Sequence, residues 1–296
     1  MINRRDFVRS SSMTALAVAA FGTIHCKDSG YTTTDPTTTD ILGPFYRPNA
    51  PLRNNLVPSG STGEPLRLTG TIFGPDGKTA QSGVKVEAWQ CDENELYDNT
   101  SDDYLFRGTT STDQNGQYYF DTIVPVPYKV AANSWRPAHI HLLVSSPDHQ
   151  DLITQVYFSG DIHLKNDSSS NSPTAAKRIL NIKAVDGKKT VNFDIVMSKH
   201  IPLDTAVYSK ICGLYQMDRG MAEFYQQDDL LMMKRNGQIS EGMAYAGENT
   251  FRGAMDRLKV KFEMGQDGSV KSKIYQVNFN NPDRVTTIEG TKILKY

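Results

Sequence analysis

Ser134-Trp135-Arg136-Pro137-Ala138-His139-Ile140-His141-Leu142-Leu143-Val144 is the stretch from which the fold of this chain can be read. From His139 onward it is an uninterrupted strand-like run, and in an extended strand alternate side chains share a face. His139 and His141 then reach toward one point, while Ile140, Leu142 and Val144 turn to the other side. Neutral imidazoles ligate iron, copper, nickel and zinc, so the pair can form half of a metal site if other donors converge on it. Taken alone, a His-x-His pair fits core histidines satisfied by backbone carbonyls at least as well.

Further short strand-like runs lie on either side of this stretch. They span residues 66–73, 84–90, 117–120, 152–158 and 190–197, and Pro75-Asp76-Gly77 and Asp113-Gln114-Asn115-Gly116 supply turns between them. Regularly spaced short strands with such punctuation predict an all-β sandwich rather than a parallel α/β fold. Beyond Lys199 the pattern changes. Leu258, Val260 and Phe262 alternate with Lys259, Lys261 and Glu263, which is the pattern of a sheet with one wet face. A second, smaller antiparallel β domain is expected there, similar in pattern to small lipocalin-like modules. The expected organisation is a signal segment over 1–26, a linker over 27–40, the sandwich over 41–199 and the small β domain over 200–296.

The 296 residues suffice for one or two domains with a real core, and a net charge of -1 gives no electrostatic case for nucleic acid. The chain opens with Asn3-Arg4-Arg5-Asp6-Phe7-Val8-Arg9, a basic region with paired arginines. An apolar stretch over 13–24 follows that is too short to span a bilayer comfortably. This start is similar to a twin-arginine signal and predicts export, either to the periplasm or as a membrane-anchored lipoprotein. Cys26 follows the apolar stretch and could carry the lipid tether, although Thr23-Ile24-His25 matches the usual small-residue lipobox poorly. Only Cys91 and Cys212 remain beyond it, and their spacing leaves a disulfide open but does not require one.

Tyr97 lies eight residues beyond Trp89 on a loop leaving a strand, and Tyr128 closes Pro125-Val126-Pro127-Tyr128 just before the histidine strand. Together with Gly43-Pro44-Phe45-Tyr46 and Trp135-Arg136-Pro137-Ala138-His139-Ile140-His141, this combination resembles the intradiol ring-cleaving dioxygenases. It is closest to the protocatechuate 3,4-dioxygenase type and extends from about Asp40 to Lys199. The resemblance implies that Tyr97, Tyr128, His139 and His141 bind one non-haem ferric ion, Fe(3+), for which phenolate is a hard anionic donor. It implies cleavage of a catechol-type diol by O2 to a cis,cis-muconate-type diacid. Tyr128 would leave the metal and take up a substrate proton, and Arg136 would stabilise negative charge on the substrate. The loop between Tyr128 and Trp135 is shorter than in protocatechuate dioxygenases, so the identity of the catechol stays open, as does assembly into a homo-oligomer.

The alternative is an exported, non-catalytic, transthyretin-like binding module, since Gly74-Pro75-Asp76-Gly77 followed by Gly83-Val84-Lys85-Val86 also suits such sandwiches. Those modules have no reason to hold two tyrosines and two histidines at these spacings, and fold alone does not decide function. Tyr46, Tyr104 and Arg107 are candidate pocket residues by position. His149, His163 and His200 lie in polar contexts and are expected to be solvated. No candidate ligand lies beyond residue 200, so the C-terminal module is expected to be dispensable for chemistry.

Overall fold

The computed structural model describes residues 25–27, 30–32, 35–278, 281 and 283–295. The signal segment read over 1–26 therefore lies outside the described residues except for its last two positions. His25 and Cys26 stand on β1 (His25–Lys27), which pairs with β2 (Gly30–Thr32) in a small antiparallel hairpin.

The expected sandwich is present. One sheet carries β4 (Lys85–Trp89), β5 (Arg107–Ser111), β9 (His139–Ser146), β10 (His149–Phe158) and β11 (Ile179–Leu180), in the order β11-β10-β9-β4-β5, with β15 (Ser198–Lys199) also paired to β10. The facing sheet is built on β3 (Pro65–Phe73), which pairs antiparallel with β6 (Gln117–Ile123) on one side. On the other side it pairs in parallel with β13 (Lys188–Asn192), whose outer edge carries β12 (Lys183–Val185), and with β14 (Ile195–Val196). Leu66, Leu68 and Ile72 of β3 alternate inward and meet Tyr118, Phe120, Ile140, Leu142 and Val144 in one buried cluster. Between β13 and β14 the chain crosses so close to β3 that a Cβ on Gly70 would lie 1.9 Å from the Phe193 carbonyl oxygen. Any side chain at position 70 would push this crossing outward and break the bond from Tyr118 Oη to the same oxygen, 2.8 Å long.

Strand β9 is buried on both faces, which explains why its sequence reads as a continuous apolar run rather than an alternation. One face packs into the sandwich. The other is covered by the N-terminal segment and by the second domain. The segment read as a linker over 27–40 is docked from Thr37 on: Thr37 N donates to Val196 O, Asp40 N donates to Ile153 O, and Asp40 is fully buried against Arg178. A Thr- and Asp-rich stretch reads as a tether only until its hydroxyls and carboxylate find partners more than a hundred residues away, and no local pattern reports those.

The second domain is a closed antiparallel barrel. Its strands are β16 (Gly213–Met217), β17 (Met221–Gln227), β18 (Leu230–Arg235), β19 (Gln238–Tyr245), β20 (Thr250–Arg252), β21 (Leu258–Met264), β22 (Val270–Val277) and β23 (Val285–Lys295), in that order around the ring. Closure of β16 on β23 removes both sheet edges. The interior is filled by side chains. Phe224 and Phe262 meet edge to face at 5.2 Å, Tyr215 meets Phe224 at 5.2 Å, and Phe251 meets Phe262 at 5.9 Å. The short helix α1 (Thr205–Ile211), capped by the Asp204 carboxylate, sends Tyr208 and Ile211 into the same core.

A further apolar cluster joins the two domains. It contains Leu42, Tyr46, Trp89, Leu143 and Ile153 from the sandwich side and Leu230 and Met232 from the barrel. Around it, Gln150 Nε2 donates to Tyr245 O at 2.6 Å and Lys85 pairs with Asp228 at 2.6 Å. His200 lies 3.3 Å from the Asp229 carboxylate and is half-buried. The expectation that His149, His163 and His200 are solvated fails for His149, while His163 and His200 are partly exposed and each has a partner. His149 is buried with Nδ1 3.3 Å from Ser146 Oγ, and His163 stacks on Trp135 at 5.1 Å. Cys91 and Cys212 are both free thiols.

Candidate metal centre

His139 and His141 stand on the same face of β9, as the strand periodicity demands, and their Nε2 atoms lie 3.1 Å apart. His139 Nδ1 donates to the Pro137 carbonyl at 2.6 Å, which leaves its Nε2 lone pair facing the pocket. Burial, and then the neighbouring Arg136 charge, hold the His139 imidazole well below its ordinary pKa; burial, His139 and Arg136 do the same to His141. Both rings are neutral and able to act as ligands.

Tyr97 arrives on the loop that leaves β4. Asp92 nucleates this loop by accepting from Asn94 N and Leu96 N, both at 2.8 Å. Beyond it Arg107, itself buried, reaches back from β5 and donates Nε to Asp98 O at 2.9 Å and Nη2 to Asn99 Oδ1 at 3.1 Å. The Tyr97 hydroxyl comes to 3.3 Å from His139 Nε2. Tyr128 opens β7 (Tyr128–Ala131), which pairs with β8 (Ser134–Arg136) in a short hairpin that sets Tyr128 opposite Arg136. Its ring centroid is 5.5 Å from that of Tyr97 and 5.6 Å from that of His139. The four residues predicted as ligands, drawn from one loop and two strands, are thus brought together.

Burial raises both phenols, Tyr97 well above the ordinary tyrosine value, so neither loses its proton here without a cation to replace it. Two ligand atoms that each sit about 2.1 Å from one ion lie roughly 3 Å apart at right angles. The spacings of His139 Nε2 to His141 Nε2 and to Tyr97 Oη match that requirement. Among the described residues no group of three or more His, Cys, Asp or Glu side chains could hold a metal, so a centre at this place must use the phenols. Two neutral imidazoles and two phenols that ionise on metal binding fit a hard trivalent ion.

Arg136 is buried beside this set. Its Nε pairs with Asp167 at 2.8 Å, and its Nη2 donates to Gln155 Oε1 at 2.7 Å and approaches Tyr157 Oη at 3.3 Å. Tyr157 donates on to Asp40 Oδ2 at 2.8 Å, and Arg178 closes the network on the same carboxylate and on Gln155 O. Sequence reasoning missed Gln155, Tyr157, Asp40, Asp167 and Arg178. For Gln155 and Tyr157 a signal existed: they alternate on β10 and lie directly opposite His141 and His139.

Of the residues named by position alone, Tyr104 sits under Arg47 and donates to Pro48 O, while Arg107 acts from beneath the Tyr97 loop. Tyr46 lies behind the pocket rather than in it, packed on Trp89 at 5.1 Å. Phe45 stacks on Tyr97 at 4.4 Å and meets Tyr128 edge-on at 6.1 Å. Gly43, at φ +78°, passes so close to the site that a Cβ there would stand 3.1 Å from His141 Cε1.

Residues 41–199 match the model of a family described as Dioxygenase. The chlorocatechol 1,2-dioxygenase of Rhodococcus opacus is 30% identical over 186 residues, covering 54% of this chain and 72% of the relative. The 6-chlorohydroxyquinol 1,2-dioxygenase of Cupriavidus pinatubonensis is 28% identical over 213 residues, covering 66% of this chain and 75% of the relative. Among solved structures, 3-chlorocatechol 1,2-dioxygenase from Rhodococcus opacus 1CP superposes with a TM-score of 0.50 at 25% identity, over 63% of this chain and 77% of that one.

Proposed function

Because this chain belongs to the intradiol ring-cleavage dioxygenases, and is by that membership an oxidoreductase that uses O2, we propose that it opens a catechol-type ring between its two hydroxyl-bearing carbons. The product is a cis,cis-muconate-type diacid. The cofactor is a non-haem ferric ion held by Tyr97, Tyr128, His139 and His141. Held there, such an ion would supply the Lewis-acid and redox chemistry that makes the ring of a bound diol susceptible to O2. The observation that carries this reading is the convergence of two neutral imidazoles and two phenols in one buried pocket with a guanidinium beside it.

Within that reading each residue has a distinct task. His139 is held in one tautomer by Pro137 and presents a fixed lone pair. Tyr97 is gripped by Phe45 and by a loop pinned through Arg107, which suits a donor that stays in place. Tyr128 stands on a short two-stranded hairpin, packed against Phe45 and Tyr97, and is assigned the departure from the metal and the uptake of a proton from the incoming diol at its Oη. Arg136 cannot shed its charge, and Asp167 and Gln155 aim it, so it offers a preorganised cation to negative charge on the substrate. The relatives named above act on chlorinated catechols and a hydroxyquinol, and small substituted catechols are the substrate class to test first.

The deciding experiment incubates iron-loaded protein with a panel of substituted catechols while O2 uptake and product ultraviolet spectra are followed. One O2 consumed per diol, with a muconate-type spectrum, is expected. A product cleaved beside the diol instead of between its hydroxyls, or a wild type that takes zinc and stays colourless, would refute the proposal. The family membership and the constellation together set aside the non-catalytic module.

A further inference from the structure

The two histidines of the pocket are held by different means. His139 is pinned by a hydrogen bond from Nδ1 to the Pro137 carbonyl, whereas His141 Nδ1 makes no hydrogen bond of ordinary geometry and has only a weak polar contact with the Ile41 backbone. Histidines that bind metal almost always use the second nitrogen to fix the ring. His141 has a stacked neighbour instead: the Trp89 indole lies on it at 4.8 Å with only 8° between the planes.

Trp89 is fully buried, and its Nε1 donates to nothing. No polar contact sets its orientation, so its packing neighbours must. The ring next to it is Tyr46, and the Tyr46 hydroxyl accepts from Gln227 Nε2 at 2.5 Å. Gln227 belongs to the barrel, at the tip of the β17–β18 hairpin. That tip is seated on the sandwich by Lys85 against Asp228, by Asp229 N donating to Asp151 at 3.2 Å, and by Leu230 and Met232 in the shared cluster. Next to it, a Cβ on Gly242 would stand 2.5 Å from Ile153 Cδ1, so the barrel wall and β10 touch without a gap.

We propose that the barrel is a positioning domain for the metal pocket: the hairpin tip fixes Tyr46 through Gln227, Tyr46 fixes Trp89, and Trp89 fixes the His141 ring. This rests on the reading of His141 as an iron ligand. It also gives a role to a module in which, among the described residues, no cluster of three or more His, Cys, Asp or Glu side chains could hold a metal. Gln227, Tyr46 and Trp89 are positioning residues that touch neither substrate nor metal.

The test uses the full chain and two measurements. Iron extraction by a chelator is timed well below the melting temperature for wild type, Gln227→Ala, Tyr46→Phe and the double variant. In the metal-free protein, with Trp135→Phe as background, Trp89 is the sole tryptophan and its near-ultraviolet circular dichroism reports the stack. Gln227→Ala should speed extraction about 10-fold, the lower range for loss of a supporting contact at a metal site. It should also weaken the Trp89 band. Tyr46→Phe should do the same and the double variant no more, because both remove one hydrogen bond. Phe262→Leu, which loosens the barrel core rather than the apolar cluster that holds Tyr46 and Trp89, should lower the melting temperature and leave extraction unchanged.

An iron-loaded wild type whose extraction rate and Trp89 band are untouched by Gln227→Ala and Tyr46→Phe would overturn the inference. So would Phe262→Leu speeding extraction equally. A wild type that takes up no iron would sink the ligand reading instead, and the Trp89 band, which needs no metal, would still decide whether the barrel sets the ring.

Discussion

Tyr97 and Tyr128 share a pocket but not a means of support, and the difference predicts different behaviour on substitution. Tyr97 is clamped by Phe45 and by a loop tied to Arg107, so Tyr97→Phe removes a donor that nothing else can replace. The iron-loaded protein should be burgundy from phenolate charge transfer, and this variant should lose most of its colour and metal. Tyr128→Phe should retain iron better and turn over slowly, since the hairpin residue is the one assigned to leave and accept a proton. Metal content and visible absorbance distinguish the two, and full activity in the double variant would contradict both assignments. Arg136→Ala should keep colour and catechol binding but slow ring cleavage by roughly 100-fold or more, the loss expected for one preorganised charge-stabilising donor. Single-turnover kinetics under O2 measure that directly, and an unchanged cleavage rate would remove Arg136 from the mechanism.

Strands β4 and β10 each place one buried carboxyl at the joint with the barrel. Burial pushes Glu87 up to about 7 against the pull of Lys85 and Arg107, with Asp228 adding to the rise. Burial does the same to Asp151, with Asp228 and Asp229 adding to it and the Asp229 N–H opposing. Both acids favour their protonated form in the folded protein, so their contribution is complete below the unfolded value of about 4 and is lost as pH rises through about 7. The melting temperature of wild type should therefore fall relative to that of Glu87→Gln between pH 4.5 and pH 7.5, and a constant gap between the two would refute it. Strands such as β3, β4 and β9 were legible because alternation or a continuous apolar run marks them. β5 was not, because Arg-Gly-Thr-Thr-Ser shows no such pattern and is held by pairing with β4. The candidate ligand set could be named because its tyrosines and histidines stand in recognisable local motifs, and the fold brings the four side chains into one pocket. The network around Arg136 was not, because Asp40, Gln155 and Arg178 meet only after the chain has folded back over more than a hundred residues.

At the scale of the whole molecule, the N-terminal arginines make export the expected fate of the folded chain, with Cys26 as a candidate lipid acceptor. Fractionation of cells making wild type and an Arg4→Lys, Arg5→Lys variant should find the variant retained in the cytoplasm; equal distribution of the two would refute the twin-arginine reading. The parallel pairing of β3 with β13 and β14 bears on the order in which the chain can be completed. A ribosome delivers Tyr97, Tyr128, His139 and His141 well before it delivers the strands that seal β3, and Thr37 must wait for Val196. Pairings of such long sequence separation form late. Nascent chains stalled before Lys188 should thus be clipped readily by protease along β3, whereas chains whose residue 199 has cleared the exit tunnel should resist. The four donors accordingly spend the interval between the emergence of His141 and that of Val196 in an unsealed sandwich, and in that interval a metal ion has its widest route to them.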